Sequence, residues 1–131
     1  MPWFKVDDKL HGHPKAHKAG LAAMGLWALS GSYCSEYVTE GSVPLWYVTG
    51  WPRGRQLADR LVAAGFWHPS GHSCERCPQP REGDSWQFHD WEHFQQTKDE
   101  IERDRAFNRE RQKRFREKRR DAREDGMRND A

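Results

Sequence analysis

Two cysteines three positions apart, Cys74 and Cys77, are the residues of this chain whose type and spacing could do chemistry. A Cys-x2-Cys turn can present two thiolates to one ion, and imidazoles lie nearby: His72 is two residues before the pair and His68 is six before it. Two thiolates with two imidazoles are a ligand set of tetrahedral structural zinc sites. The sequence therefore predicts a structural Zn²⁺ on Cys74, Cys77, His72 and His68, with His89 as the alternative fourth ligand.

The competing interpretation of this segment is a flexible loop that carries two free thiols. His89 is an alternative ligand because a hairpin would bring its strand beside the strand that contains His68. A catalytic zinc would need an open coordination position and a general base, and Glu75, the acid inside the Cys-x2-Cys turn, has nothing around it that marks it as a base. No glycine-rich phosphate loop or nucleophile–base pair stands out in the chain. We therefore predict a structural site and no enzymatic activity.

The elements that must position this site are short helices followed by a hairpin. Aromatic residues at 66–68 and 85–89 predict two short strands, and the Pro/Gly-rich segment 69–84 between them contains the cysteine pair. Upstream, apolar spacing and Pro/Gly signals predict helices at 14–18, 21–37, 43–49 with Ser42 as its N-cap, and 53–64. This order predicts an α+β, mostly α fold: a winged helix-turn-helix with a zinc-stapled β-hairpin wing and a charged C-terminal helix.

The outer face of the 53–64 helix carries Arg53, Arg55, Gln56 and Arg60. In a helix-turn-helix, such side chains can read base edges in the major groove. Arg76 and Arg81, in the segment predicted to form the wing, are candidates for phosphate contacts. The alternative is an ordinary solvated charged face.

The charge of the chain is concentrated near its C-terminus. The net charge of the 131 residues is +2, yet residues 103–123 hold 11 basic and 4 acidic residues, a net of +7. We predict a domain at 1–96 and a helical or disordered basic extension at 97–131, which contacts double-stranded DNA or remains a solvated helix laced with salt bridges. The candidate contacts are Arg109, Arg111, Lys113, Arg114, Arg116, Lys118, Arg119 and Arg120.

Composition also indicates the cellular compartment in which the protein is expected. Three cysteines are an odd number, the N-terminus lacks the pattern of a secretory signal, and no run approaches the roughly 18 apolar residues of a membrane helix. These features predict a cytoplasmic protein with reduced thiols and no membrane contact. Cys34 lies in an apolar helical stretch and is predicted to be a buried small hydrophobe.

Three segments carry a resemblance to a known group. Trp3 to Lys15 (Trp-Phe-Lys-Val-Asp-Asp, then His-Pro-Lys), Gly25-Leu-Trp27 and Trp86-Gln-Phe-His-Asp-Trp91 resemble small replication-initiation or helix-turn-helix proteins of actinobacterial phages. More distantly, the chain resembles the N-terminal winged-helix domain of DnaD-type phage replisome organisers, over about residues 3–95. The resemblance implies a DNA-binding module that acts in replication initiation or transcriptional control, in the cytoplasm of a bacterial host cell. The short charged tail replaces the larger C-terminal domain of those organisers.

Two functions of different classes follow from these patterns. The first is a DNA-binding winged helix, with double-stranded DNA as its partner. The second is a protein-interaction module, which binds a phage or host replication or regulatory protein through the charged tail or the wing. The sequence shows no clear dimer seam, so a dimer is left open.

Overall fold

The computed structural model describes residues 3–129, which divide into two compact units between Thr97 and Lys98. The expected α+β class, mostly helical with a small antiparallel sheet, is confirmed. A 3-10 turn at Leu10–Gly12 precedes the first helix. The elements of the first unit are α1 (Pro14–Ala19), α2 (Leu21–Tyr37), β1 (Ser42–Val43), α3 (Leu45–Thr49), α4 (Gly54–Ala64), β2 (Trp67–Pro69), β3 (Trp86–Phe88) and α5 (Trp91–Phe94).

The three strands form one antiparallel sheet in the order β1-β3-β2. In the β2–β3 pair, Trp67 faces Phe88 and His68 faces Gln87. All three residues of β3 are buried, including Gln87, whose side-chain amide donates a hydrogen bond to the carbonyl oxygen of Glu40 (2.9 Å). This bond satisfies a polar group that would otherwise be costly to bury. β3 is therefore the central strand on which the hairpin is built.

The prediction that Ser42 is an N-cap is wrong. Ser42 lies in β1, where its hydroxyl oxygen accepts a hydrogen bond from the backbone N–H of Arg81 (2.9 Å). Pro44 takes the N-cap position of α3. A two-residue strand leaves no periodicity in the sequence, so only its pairing with β3 distinguishes it from a capping turn.

The N-terminal arm is attached to the body at two points. The buried side chain of Gln95 both donates to the carbonyl oxygen of Lys5 and accepts from its N–H, each at 2.8 Å. The ring of Phe4 packs on Gly31 of α2, where a Cβ would overlap the ring, and it lies 4.9 Å from the ring centroid of Trp27. The contact with Phe4 explains why position 31, in the middle of α2, is a glycine. His13 caps α1, since its Nδ1 accepts a hydrogen bond from the N–H of Lys15 (3.1 Å).

Helices α3 and α4 meet at a very close turn. At Gly54, the first residue of α4, an added Cβ would collide with the carbonyl oxygen of Val48. Arg53, just before it, has φ +58° in the left-handed region. Helix α4 then buries Ala58, Leu61 and Ala64 and packs against α1, α2, α3 and β2. The turn thus sets the angle at which α4 presents its outer face.

Cys34 is fully buried in α2, as predicted. Burial raises the pKa of its thiol to about 12, from an ordinary value of 9.0. The thiol therefore contributes stability that is fully present below pH 9 and is lost as the pH rises toward 12, because the unfolded thiol ionises first.

We expect the stability advantage of the wild-type chain over Cys34→Ala to shrink by about 1.4 kcal/mol between pH 8 and pH 10. Urea unfolding of both proteins at the two pH values measures this difference. Because the cavity left by alanine is the same at both pH values, it cancels. A difference between the two proteins that does not change with pH would contradict a buried, protonated thiol.

The second unit is one helix, α6 (Lys98–Asn129). Its side chains are exposed from Glu102 through Met127. Glu110 and Arg114, four residues apart, form an exposed ion pair at 2.8 Å, and the guanidinium of Arg119 lies 5.8 Å from the ring centroid of Phe115. The predicted basic extension is thus a continuous charged helix.

Candidate metal centre and basic surfaces

Four side chains of the hairpin converge on one point: His68, Cys74, Cys77 and His89. His68 lies on β2, the cysteines lie in the loop that follows, and His89 comes directly after β3. His68 and His89 are diagonal neighbours across the ladder, because His68 pairs with Gln87 and the N–H of His89 donates to the carbonyl of Phe66 (2.8 Å). The loop folds back so that both thiols meet these imidazoles.

The four potential ligand atoms all lie within 4.8 Å of one another. The two Sγ atoms are 3.7 Å apart, and Nδ1 of His89 lies 3.4 Å from Sγ of Cys77 and 4.0 Å from Sγ of Cys74. Nε2 of His68 is 2.8 Å from Nδ1 of His89.

These separations can be compared with the edges of a zinc tetrahedron. Ordinary Zn–S and Zn–N bond lengths give edges of about 3.8 Å between two sulfurs and about 3.3 Å between two nitrogens. The sulfur–sulfur distance agrees, and the nitrogens need to separate by roughly 0.5 Å to reach that geometry. The cluster can therefore hold a tetrahedral metal ion once the imidazole rings shift.

His72, predicted as a ligand, lies outside the cluster, and His89 occupies the place expected for it. Both ring nitrogens of His72 have other partners: Nδ1 accepts from the N–H of Cys74 (3.1 Å), and Nε2 donates to the carbonyl oxygen of Pro78 (2.9 Å). Its ring stacks on that of His68, with centroids 4.6 Å apart. His72 thus shapes the loop around the cluster. His68, Cys74 and Cys77 are brought together as the spacing predicts.

Asp90 orients the cluster, a role that the sequence analysis missed. Its carboxylate lies 3.3 Å from Nε2 of His89 and 3.0 Å from the guanidinium of Arg76, and its backbone N–H donates to Sγ of Cys77 (3.3 Å). A carboxylate on the far nitrogen fixes the tautomer of a metal-binding histidine and raises its basicity. Here it leaves Nδ1 of His89 free to face the thiols. In the sequence, Asp90 directly follows the candidate ligand His89, and this position was the signal that could have predicted its role.

Burial shifts the pKa values of two groups in the cluster, the imidazole of His68 and the thiol of Cys77. It is the main cause that lowers the pKa of His68, with smaller contributions from His72 and His89, and this favours the neutral imidazole that can bind a metal. Burial also raises the pKa of the Cys77 thiol. A metal would displace that proton, because the thiolate is the ligand.

The second candidate surface is the outer face of α4. The side chains of Arg53, Arg55, Gln56 and Arg60 are all exposed, and Asp59 is the acid among them. The buried side chains of α4, those of Ala58, Leu61 and Ala64, lie on its opposite side. The structure therefore leaves the predicted reading face of α4 open to solvent.

The two arginines of the predicted wing have partners inside the protein. Arg76 pairs with Asp90 and remains 68% exposed, and the guanidinium of Arg81 donates to the carbonyl oxygen of Val38 (3.2 Å). The eight predicted contacts of the tail, from Arg109 to Arg120, lie on α6, all exposed. Arg76 and Arg81 thus stabilise the loop, whereas the tail offers its charge to solvent.

Comparisons with protein-family models, with curated proteins and with solved structures found no match to this chain. None of the helices described for residues 3–129 contains an apolar stretch long enough to cross a membrane.

Proposed function

We propose that this chain is a winged-helix protein that binds double-stranded DNA, with its wing held by a structural Zn²⁺, and that it acts in phage replication initiation or transcriptional control. The observation that carries the proposal is the order β1, α3, α4, β2, β3 with strand order β1-β3-β2, combined with the exposed arginine face of α4. A helix-turn-helix followed by a hairpin places its second helix outward, as major-groove reading requires. The role in a phage rests on the resemblance of the aromatic and His-Pro-Lys motifs.

Helix α4 would act as the recognition helix. Arginine can bind the O6 and N7 atoms of guanine with two hydrogen bonds, and glutamine can bind adenine in the same way. Arg55, Gln56 and Arg60 lie along one exposed face, next to Arg53 at the start of the helix. Burial of Ala58, Leu61 and Ala64 on the opposite face fixes the rotation of α4 about its axis. Arg55, Gln56 and Arg60 would therefore approach the bases as a set.

Zinc would hold the wing in one shape. The loop between β2 and β3 is long and rich in Pro and Gly, and its two cysteines would bind the same ion as the histidines at its two ends. Such an ion closes the loop and stabilises the folded state. Both imidazoles and both thiolates are used in this arrangement, so no coordination position is left open, which favours a structural over a catalytic role.

Helix α6 would add contacts that do not depend on sequence. Its exposed basic residues can neutralise phosphates and release counterions. The acids interspersed among them, such as Glu110 in its pair with Arg114, reduce this charge. The alternative role for α6 is to bind a host protein, for which its exposed Phe107 and Phe115 offer apolar contacts.

We expect the triple variant Arg53→Ala, Arg55→Ala, Arg60→Ala to bind duplex DNA at least about 100-fold more weakly, since each lost base contact costs about 1–3 kcal/mol. Fluorescence anisotropy with a labelled duplex that the wild-type chain has selected from a random pool, using the full zinc-loaded chain, measures the loss. Asp59→Ala is the matched control on the same face. It removes an acid that repels phosphate, so its affinity is expected to be equal or higher.

Unchanged binding by the triple variant would show that α4 does not read DNA. If affinity falls only when arginines of α6 are replaced by glutamine, the chain binds DNA through a nonspecific arm. If the wild-type chain does not bind duplex DNA at low salt, the proposal fails in favour of the protein-interaction alternative.

A further inference from the structure

Aromatic side chains from α2, α3 and the turn after α3 form a connected row on the surface of the first unit. Tyr37, Tyr33, Tyr47 and Trp51 follow one another along it, with successive ring centroids 5.1, 4.5 and 6.2 Å apart. Trp46 stands beside the middle of the row, 5.8 Å from Tyr33 and 5.9 Å from Tyr47. We call these five residues the aromatic row.

Much of the aromatic row is open to solvent. Tyr37 and Trp46 are each 62% exposed and Trp51 is 39% exposed, and the adjacent Leu29 is 46% exposed. Since an aromatic side chain buries about 150–250 Å², these rings present on the order of 300 Å² of contiguous surface. A patch of this size is comparable to the largest apolar patch of a typical monomer, which is often functional.

The row is held in place by contacts of its own. The hydroxyl of Tyr47 donates to the carbonyl oxygen of Leu29 (3.2 Å), which ties α3 to α2, and the rings of Tyr33 and Tyr47 are stacked at an interplanar angle of 25°. A surface that is already ordered loses little conformational entropy when it binds. The rigidity of the row therefore favours its use as an interface.

The two ends of the row differ in net charge: the Tyr37 end holds two acids and Arg81, whose guanidinium donates to the carbonyl oxygen of Val38, and the Trp51 end holds an arginine. At the Tyr37 end, Glu36 is three residues after Tyr33 and so lies on the same side of α2, and Glu82 is close enough to contribute, after burial, to the raised pKa of Tyr33. At the Trp51 end, Arg53 follows two residues later and is exposed. A two-fold axis through the row would set the acidic end of one chain against the basic end of the other.

This arrangement of charges favours one class of binding partner over others that could bind an aromatic surface. Single-stranded nucleic acid stacks on such rings but needs a basic groove for its phosphates, and Glu36 and Glu82 would repel it. Proline-rich peptides insert between separated rings, whereas the rings of this row contact one another. A surface with opposite charges at its ends is complementary to itself, as an isologous interface must be.

We propose that the aromatic row is the interface of a symmetric homodimer, with Trp46 at its centre and Glu36 of one protomer facing Arg53 of its partner. This inference goes beyond DNA binding and is tested without DNA. The interface is small, so its dissociation constant is expected to be on the order of 1–100 µM.

Sedimentation equilibrium of the full zinc-loaded chain across this concentration range tests the proposal. The wild-type chain is expected to reach a dimer, and Trp46→Ala and Tyr37→Ala are each expected to weaken association about 10- to 100-fold, as central aromatic side chains do. Trp3→Ala is the matched control, since Trp3 is 81% exposed and lies outside the row; its association is expected to match that of the wild type. Thermal melts of each variant check that the fold is kept.

A charge exchange tests the orientation of the two chains. Glu36→Arg and Arg53→Glu are each expected to weaken the dimer, because in a symmetric dimer the contact between positions 36 and 53 occurs twice and each single variant gives both contacts like charges. The double variant is expected to recover most of the lost affinity. A monomer at all concentrations, or a dimer that Trp46→Ala leaves unchanged, would overturn the proposal. Failure of the double variant to recover would overturn the pairing of Glu36 with Arg53.

Discussion

Cys77→Ser is expected to abolish zinc binding and to lower the melting temperature of the chain by about 15–30 °C. Cys77 is buried, its Sγ lies 3.4 Å from Nδ1 of His89, and serine cannot supply the thiolate that zinc prefers. A ligand present at about 1,000 times its dissociation constant stabilises the folded state by about 4 kcal/mol. In a domain of this size, each kcal/mol corresponds to about 4–8 °C.

Metal analysis and calorimetry of the purified protein check this result. The wild-type chain is expected to carry one zinc per chain and to melt at a lower temperature after chelation, whereas Cys77→Ser melts at the same temperature with and without chelator. His72→Ala is the matched control, since His72 lies in the same loop but outside the cluster, and it is expected to retain its zinc. Undiminished zinc in Cys77→Ser would contradict the site.

The same measurements distinguish a ligand from a residue that positions a ligand. Asp90→Asn keeps all four ligands but weakens the interaction with Nε2 of His89 and with Arg76. We expect its zinc affinity to fall about 10- to 100-fold without loss of stoichiometry at saturating zinc. In a chain reconstituted with Co²⁺, absorption from two thiolate ligands is expected to persist in Asp90→Asn and to be lost in Cys77→Ser.

Gly54→Ala is expected to destabilise the chain by more than about 3 kcal/mol, beyond the usual cost of an added methyl group in a packed interior. The new Cβ would overlap the carbonyl oxygen of Val48, which belongs to the backbone and cannot rotate away. Relief requires α3 and α4 to separate, and α4 packs against α1, α2 and β2 as well. Urea unfolding measures the loss as a lower midpoint.

Gly25→Ala is the matched control for that measurement. Gly25 is an exposed interior position of α2 with no atoms within 4 Å of an added Cβ. Alanine there is expected to be stabilising by about 0.5–1 kcal/mol, because glycine is the poorer helix former. A Gly54→Ala protein as stable as Gly25→Ala would show that the turn between α3 and α4 is not close-packed.

The predicted helices agree with the structure to within one or two residues at α1, α2, α3 and α4. Their signals are local: Pro14 opens α1, Gly65 follows α4 in the left-handed conformation, and the apolar spacing of α4 marks its buried face. Gly31 of α2 is approached closely by the ring of Phe4, whereas Gly25 has no such neighbour. Strand β1 escaped prediction because two residues show no alternation, and its existence depends on β3, more than forty positions away.

The amino-acid sequence by itself determined the parts of this protein that depend on neighbours along the chain: the helix limits, the Cys-x2-Cys turn with His68 before it, and the concentration of charge beyond residue 97. Tertiary structure decided which distant residues meet. The register of β2 with β3 brings His89 to the thiols, while the path of the loop turns the nitrogens of His72 to backbone partners. Likewise, the packing of α2 against α3 gathers Tyr33 and Tyr47 into one surface. Spacing constrains only a few residues at a time, whereas ligand sets and surfaces form between segments that the fold brings together.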